Sequence, residues 1–403
     1  MSQHIGAPCK PLVKKGDQVK VGQLIGDTDA FVSAPIHSSV SGTVKEISTI
    51  RSVTGGDDQV VIIETDGNQD VYEEIKPPVI NDMKDFIAAV RASGLVGLGG
   101  ASFPTHIKLN PKNLEEVDTL IVNAAECEPF ITSDHRLMLE NTEYIIKCAV
   151  AIMKHLGLKK GHIGVEENKP DAIEKLRKVI ADMGHSGDIK VNVLRARYPQ
   201  GAERVMIYEI TGKTLRAGML PADVGVILYN VTTIAFIGKY LETGRPLTTK
   251  RVTVDCNAVA EPKNIIVPIG ARIADVIAAC GGYKAEPKKI LMGGPMMGRA
   301  VYSDAFPIIK NNNAILAFDG PQALIPEETG CIKCGRCHGA CPFKLLPVSI
   351  AEAYENKDVE RLQALEVMQC MECGSCSYIC PARRPLAFIN KMSKGFLKEA
   401  TSK

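Results

Sequence analysis

Eight of the thirteen cysteines stand in two runs near the end of the chain, CIKCGRCHGACP (Cys331 to Pro342) and CMECGSCSYICP (Cys370 to Pro381). Each reads C-x2-C-x2-C-x3-C-P. In that spacing three thiolates wrap one [4Fe-4S] cubane, and the fourth, set apart before its proline, reaches the other cluster of a pair. The rule assigns Cys331, Cys334, Cys337 and Cys380 to one cluster, and Cys370, Cys373, Cys376 and Cys341 to the second. Structural zinc needs only four ligands from two CxxC pairs, so it leaves the third cysteine of each run and the duplicated Cys-Pro unexplained.

Two neighbouring clusters carry single electrons and cannot accept a hydride. Two-electron chemistry upstream therefore calls for a converter, and a flavin is the usual organic one. The glycine-rich stretch GLVGLGGASFPTHIKL (Gly94 to Leu109) is the candidate for its binding loop. It is not a P-loop, because Ala101 follows Gly100 and Lys108 precedes Leu109. It is not a dinucleotide fingerprint either, since counting from Gly97 the third glycine position holds Ser102, with Phe103 and Pro104 after it.

Elements that could position these groups follow from the pattern of the rest. The 403 residues are 45% hydrophobic and 23% charged, with a net charge of +2, which suits a soluble protein of several domains and gives no reason to expect nucleic acid. Tryptophan is absent and aromatics are 5%, too few for a single-strand stacking platform. The longest apolar stretch, VGVILYNVTTIAFIG from Val224, is interrupted by Asn230, Thr232 and Thr233, so no membrane span is expected. The N-terminus lacks the apolar core of a signal peptide, which points to the cytosol, and it opens directly on what reads as a first strand, which suggests a missing leading segment.

Residues 1–75 read as short strands with turns at Gly16-Asp17 and Gly55-Gly56. KKGDQVKVGQLIG and SAPIHSSVSGTV resemble the two halves of a lipoyl or biotinyl barrel-sandwich, but no lysine lies between Lys20 and Lys45 to carry the cofactor, so the domain is expected to be structural and unmodified. Residues 76–250 alternate helices and strands, as in a largely parallel α/β domain: a helix capped by Asp82, a buried strand at 118–125, one long helix at 135–156, then strands at GHIGVE and IKVNVLRA with a helix at 169–183 between them. Ligands on such sheets sit at the carboxyl ends of strands, where NAAECEP and ARYPQGAE fall. Residues 251–318 read as a β-grasp module and 319–403 as a helical two-cluster ferredoxin domain, with helices at Ile350, Ala353, Tyr354, Leu362 and Leu365 bracing the cluster loops. Cys127 is expected to be an inert thiol, and Glu166 and Glu167 a solvated acidic face.

GLVGLGGASFPTHIKL, NAAECEP, YPQGAE and LYNVTTIAFI together resemble the NADH-binding flavoprotein subunit of respiratory complex I. With the barrel-sandwich, the SLBB-type β-grasp and two ferredoxin runs added in this order, the whole chain resembles the C subunits of Rnf electron-transport complexes, ion-translocating ferredoxin:NAD oxidoreductases. That resemblance implies FMN bound by Gly97, Gly99, Lys108, Asn123, Glu126, Tyr198, Gly201, Glu203, Asn230 and Thr232. It implies NADH stacked on the flavin near Phe103, Glu128 and Glu203. The family's aspartate beside Asn123 is Ala125 here, and its nicotinamide-side lysine falls near Ala217. It further implies integral-membrane and iron–sulfur partner subunits, with this chain docked peripherally on the cytoplasmic face of the cell membrane. A microcompartment cobalamin reductase shares the flavin and ferredoxin parts but lacks the barrel-sandwich. An iron–sulfur scaffold or sensor with a vestigial flavin fold is the non-enzyme alternative.

Overall fold

The structure is a computed structural model that describes residues 1–52, 55–216 and 218–402. The N-terminal strands β1 (Lys10–Pro11), β2 (Gln18–Val19), β3 (Leu24–Asp27), β4 (Ile36–His37), β5 (Gly42–Arg51) and β6 (Asp57–Thr65) form two three-stranded antiparallel sheets, β1-β3-β4 and β2-β5-β6. Cys9, Val19, Ile25, Ile36 and Val44 close the small core of this barrel-sandwich.

The α/β domain opens with α1 (Met83–Ala92), whose Asp82 side chain accepts a hydrogen bond from the Asp85 amide at 2.8 Å and so caps the helix. After it come α2 (Thr105–Lys108), β7 (Thr119–Ala124), α3 (Ser133–Glu140), α4 (Thr142–Leu156), β8 (Lys160–Glu166), α5 (Pro170–Asp182), β9 (Ile189–Leu194), α6 (Glu203–Thr211), β10 (Val226–Asn230) and α7 (Val231–Thr243). The four strands form a parallel sheet in the order β10-β7-β8-β9. Leu120, Ile121 and Val122 of β7 are fully buried, because helices cover both faces of a parallel sheet. The register pairs Asn230 with Asn123 and Asn123 with Gly164, which brings the carboxyl ends of the strands to one edge.

The expected single helix at 135–156 is two. Asn141 leaves helical geometry (φ −125°, ψ 29°), and the Thr142 hydroxyl bonds back to the Met138 carbonyl. Asn and Thr offer the backbone local polar partners that compete with helix continuation.

The next module is a five-stranded sheet built from β11 (Thr249–Asp255), β12 (Lys263–Pro268), β13 (Lys289–Met292), β14 (Arg299–Val301) and β15 (Ala314–Phe318), in the order β12-β11-β15-β13-β14. β11 and β15 run parallel, and α8 (Ile273–Ala278) packs Ile273, Val276 and Ile277 into its core. This is the β-grasp arrangement. The C-terminal part is helical: α9 (Arg336–Ala340), α10 (Pro347–Glu355), α11 (Val359–Ala364), α12 (Ser375–Tyr378) and α13 (Leu386–Thr401). Ile350, Ala353 and Leu362 are buried between the two cysteine runs. Among the described residues no helix is long and apolar enough to cross a membrane.

Candidate flavin and iron–sulfur sites

The two cysteine runs fold onto each other through the short helices α9 and α12, and each fourth cysteine crosses to the opposite run. Cys331, Cys334, Cys337 and Cys380 line one cavity of about 210 Å³ together with Pro347, Pro381 and Ala382. Cys341, Cys370, Cys373 and Cys376 line a second, tighter space of about 20 Å³ with Phe343, Leu345 and Ala387. The first is many times the volume one water occupies, about 10–15 Å³ on the same kind of measure, so the space lined by these four cysteines has room for a polyatomic group. The second fits a cluster by its donor set rather than by its volume. Cys331 and Cys334 are exposed, whereas Cys373 and Cys376 are buried. Burial pushes the Cys376 thiol up to about 12, so a cation must displace its proton for it to act as a ligand.

The glycine-rich stretch lies at the carboxyl edge of the parallel sheet. A Cβ on Gly99 would stand 2.9 Å from Asn230 Cβ, and one on Gly201 2.6 Å from the Ala125 carbonyl oxygen, so both glycines allow backbone to approach where no side chain fits. Lys108, at the end of α2, donates to Glu203 Oε2 at 2.5 Å and to the Leu228 carbonyl at 2.9 Å, with its ammonium 5.6 Å from the Tyr229 ring centroid. Its side chain is 31% exposed and that of Glu203 39%, so this ion pair is open to an incoming ligand. Asn123 donates to the Gly201 carbonyl at 2.7 Å, which ties the NAAECEP and YPQGAE segments together. Among the described residues, buried Gln200 Nε2 and Thr105 Oγ1, in the two candidate flavin segments, have no hydrogen-bond partner. Unpaired buried polar atoms are costly, so together with the glycine cradle and the accessible cation they fit a flavin mononucleotide at this edge.

Four segments of the chain match known domain models in sequence: an RnfC barrel sandwich hybrid domain over residues 1–68, a Nuo51 FMN-binding domain over 90–239, an SLBB domain over 251–300 and a 4Fe-4S dicluster domain over 323–381. The chain is 43% identical to the C subunit of the Na(+)-translocating ferredoxin:NAD(+) oxidoreductase complex of Acetobacterium woodii, over 98% of this chain and 89% of that one. It belongs to the family of C subunits of ion-translocating oxidoreductase complexes. The C subunit of the proton-translocating ferredoxin:NAD(+) oxidoreductase complex of Clostridium ljungdahlii is 44% identical over 86% of this chain and 75% of its own length. The C subunit of the ion-translocating oxidoreductase complex of Rhodobacter capsulatus is 36% identical over 100% and 78%. In fold the chain is similar to an NAD+-reducing [NiFe]-hydrogenase, with a TM-score of 0.52 at 19% identity, covering 81% of this chain and 55% of the hydrogenase chain. The chain thus carries an FMN-binding domain and a pair of [4Fe-4S] sites, and it is an electron-transfer subunit.

Several side chains expected at the surface of the flavin site are instead committed within the chain. Glu126 accepts hydrogen bonds from the Asp134 and His135 amides (2.8 and 3.0 Å) and from the Ser133 hydroxyl, so it closes the start of α3 rather than pointing at a ligand. Burial, and then the like charge of Asp134, pushes its carboxyl up to about 7. Asn230 caps α7 through the Thr232 amide (3.0 Å) and donates to Asp134 (2.6 Å), to which the Thr232 hydroxyl also donates at 2.6 Å. Asp134 is the hub that sequence reasoning missed; its only signal was an acidic residue in the first turn of α3.

Glu128, expected to hold NADH, accepts the Met296 and Met297 amides of the β-grasp module at 3.0 and 2.8 Å. Each of its oxygens thereby accepts one amide of another module. Phe103 is half-buried in the loop, and its carbonyl accepts the Gly97 amide at 2.8 Å. Glu166 is not on a solvated face: it is 2% exposed and paired with Lys169 at 2.7 Å, because the end of β8 faces inward. Burial pushes the Cys127 thiol up to about 11, which keeps it protonated and inert. Ala217 lies outside the described residues.

The two kinds of site meet through Tyr198 and Arg204. The Tyr198 hydroxyl donates to the carbonyl of Cys373 at 2.7 Å, and Arg204 of α6 donates to Gln369 at 2.5 Å while lying 5.6 Å from the Phe343 ring centroid. The segment that holds the flavin edge therefore touches the loop of the more buried cysteine set.

Proposed function

We propose that this subunit exchanges electrons between a nicotinamide dinucleotide and FMN at the carboxyl edge of the parallel sheet, and between FMN and two [4Fe-4S] clusters. The Tyr198 to Cys373 hydrogen bond carries this reading, because it joins the flavin segment directly to a cluster ligand. Bound FMN supplies the conversion between a two-electron hydride and single electrons. The chain's own residues bind, orient and enclose. Gly97, Gly99 and Gly201 give close access to backbone, Lys108 offers a cation to the flavin, and Asp134 fixes Asn230 and Thr232 from behind. Glu203 shares its charge with Lys108 until a ligand claims one partner. Cys331, Cys334, Cys337 and Cys380 hold one cluster, and Cys341, Cys370, Cys373 and Cys376 the other.

The exposure of Cys331 and Cys334 supports their cluster as the exchange point with partner subunits. Ion movement belongs to those membrane-embedded partners, with this chain peripheral on their cytoplasmic side and ferredoxin and NAD the terminal redox couples. The barrel-sandwich at residues 1–68 supports this reading over a microcompartment cobalamin reductase.

Anaerobic purification with flavin and iron analysis, followed by NADH titration, tests the proposal. Flavin bleaching and then loss of cluster absorbance is the expected sequence. Protein with a full iron complement that neither takes up FMN nor responds to NADH would leave only the iron–sulfur scaffold.

A further inference from the structure

Three donors of the β-grasp module and its flanks reach carbonyls of a single short segment. Lys250 Nζ in β11, buried at 4% exposure, donates to the Leu98 carbonyl at 3.0 Å. Lys310 Nζ, 1% exposed, donates to the Gly94 carbonyl at 2.7 Å and to Pro35 of the barrel-sandwich at 2.6 Å. Asn311 Nδ2 donates to the Gly100 carbonyl at 3.0 Å. On the other side of the loop, the Leu98 amide donates to Thr233 Oγ1 of α7 at 3.0 Å. Burying two lysine ammoniums is expensive, and burial lowers both, Lys250 to about 8 and Lys310 to about 7. A surface loop with no task would not need such anchors.

A trans peptide is planar, so fixing a carbonyl on one side fixes the next amide on the opposite side. With the Leu98 and Gly100 carbonyls drawn toward the β-grasp module, the amides of Gly99 and Ala101 face away from it. Among the described residues neither amide has a hydrogen-bond partner. Successive free amides presented in a glycine-rich turn suit an anionic oxygen.

We propose that the β-grasp module is the lock on the flavin loop: Lys250 and Asn311 are positioning residues that aim the Gly99 and Ala101 amides at a phosphate of the bound cofactor or substrate, and Lys310 anchors the start of the loop at Gly94. The proposal rests on the flavin reading above. It assigns the module a task inside its own chain rather than a ligand of its own. The phosphate comes either from FMN or from the dinucleotide.

The test uses the full-length, cluster-loaded chain with Asn311→Ala, whose side chain is partly exposed, and with Lys250→Met and Lys310→Met, which keep the buried sites filled. Hydrogen exchange at residues 97–102, measured without flavin, is expected to quicken in every variant while iron content stays at the wild-type level. If FMN supplies the phosphate, FMN affinity falls about tenfold, the loss of roughly one good hydrogen-bonded contact, while riboflavin, which has no phosphate, binds as before. If the dinucleotide supplies it, FMN and riboflavin affinities hold and the NADH dissociation constant rises by a similar factor.

Unchanged exchange in all the variants overturns the lock, and so does equal weakening of FMN and riboflavin, which would mean mere loosening. Should the lysine variants not fold, Asn311→Ala decides. Wild-type protein that takes up no flavin while the variants still speed exchange supports the lock and overturns the flavin reading, so the two failures are distinguishable.

Discussion

Gly99→Ala is the substitution whose cost can be worked most directly from the structure. The backbone at Gly99 lies in a region open to alanine, so the cost comes from contact alone. The new methyl would stand 2.9 Å from Asn230 Cβ, 3.1 Å from its Cγ and 3.2 Å from its Nδ2, against an ordinary separation of about 3.5–4.0 Å between carbon atoms. Asn230 must therefore shift, and it already does two jobs: it caps α7 through the Thr232 amide and donates to Asp134 at 2.6 Å. Losing the cap costs about 1 kcal/mol. Losing a hydrogen bond to a charged partner costs about 1.5–3 kcal/mol more. If both break, the α/β domain is destabilised by about 2.5–4 kcal/mol, which lowers its thermal transition by roughly 5–16 °C for a unit of this size. Gly97→Ala is the control, because its methyl would meet nothing closer than 3.7 Å and the fold should be untouched. Thermal scans of the full chain by circular dichroism, with flavin and iron content measured alongside, read the result. Gly99→Ala should lose FMN and the upper part of its transition while keeping iron. A Gly99→Ala protein that melts and holds FMN like wild type would refute the account of Asn230 as a fixed wall.

Cys380→Ser should remove about half the iron and leave the signal of the Cys370 set intact, because the fourth ligand crosses between runs; loss of the Cys370-set signal instead would reverse the pairing. Tyr198→Phe removes the hydroxyl that donates to Cys373 and should slow cluster reduction by NADH in stopped-flow traces, with FMN and iron contents unchanged; an unaltered rate would show that the contact is only a brace. Lys310 gives a pH signature. Burial lowers its folded value to about 7 from 10.5, and Cys9, Asp27, His4 and His37 are the titratable groups around it. Between those two values the unfolded chain holds more protons than the folded one, so stability rises with pH. The thermal stability of wild type relative to Lys310→Met should accordingly climb from about pH 7 toward pH 10 and be flat below pH 7; a flat difference throughout means that burial does not penalise the ammonium.

The cysteine clusters were legible because their chemistry is local: spacing alone names the ligands, and the fold needs only to cross the two fourth cysteines. The α/β alternation and the β-grasp module were legible for a similar reason, since apolar periodicity reports directly which face is buried. The helix expected at 135–156 was misread because its pattern runs unbroken across Asn141, while the break depends on a hydroxyl to carbonyl bond. The structural partners of Glu128 were invisible for a deeper reason. The Met296 and Met297 amides lie 168 and 169 residues away, and no local signal says whether a carboxylate near a strand end faces a ligand or another module. Lys250, Lys310 and Asn311 were invisible for the same cause, because their partners belong to a loop far earlier in the chain.

That pattern bears on how the protein is built. Transfer between a flavin and a cluster is sensitive to the distance between them, so both ends need rigid support. At one end α6 and the Tyr198 segment grip the buried cysteine loop through Arg204 and Tyr198. At the other, the β-grasp donors and Thr233 hold opposite sides of Leu98. Glu128 ties the two ends together, since it follows the NAAEC strand end on one side and receives the β-grasp amides on the other. Gly374, just after Cys373, packs so closely on Met296 that a Cβ there would lie 2.9 Å from its carbonyl oxygen. The Met296 segment therefore contacts both the flavin domain's carboxylate and the cluster loop, so the β-grasp module is packed against both domains that carry the candidate redox sites.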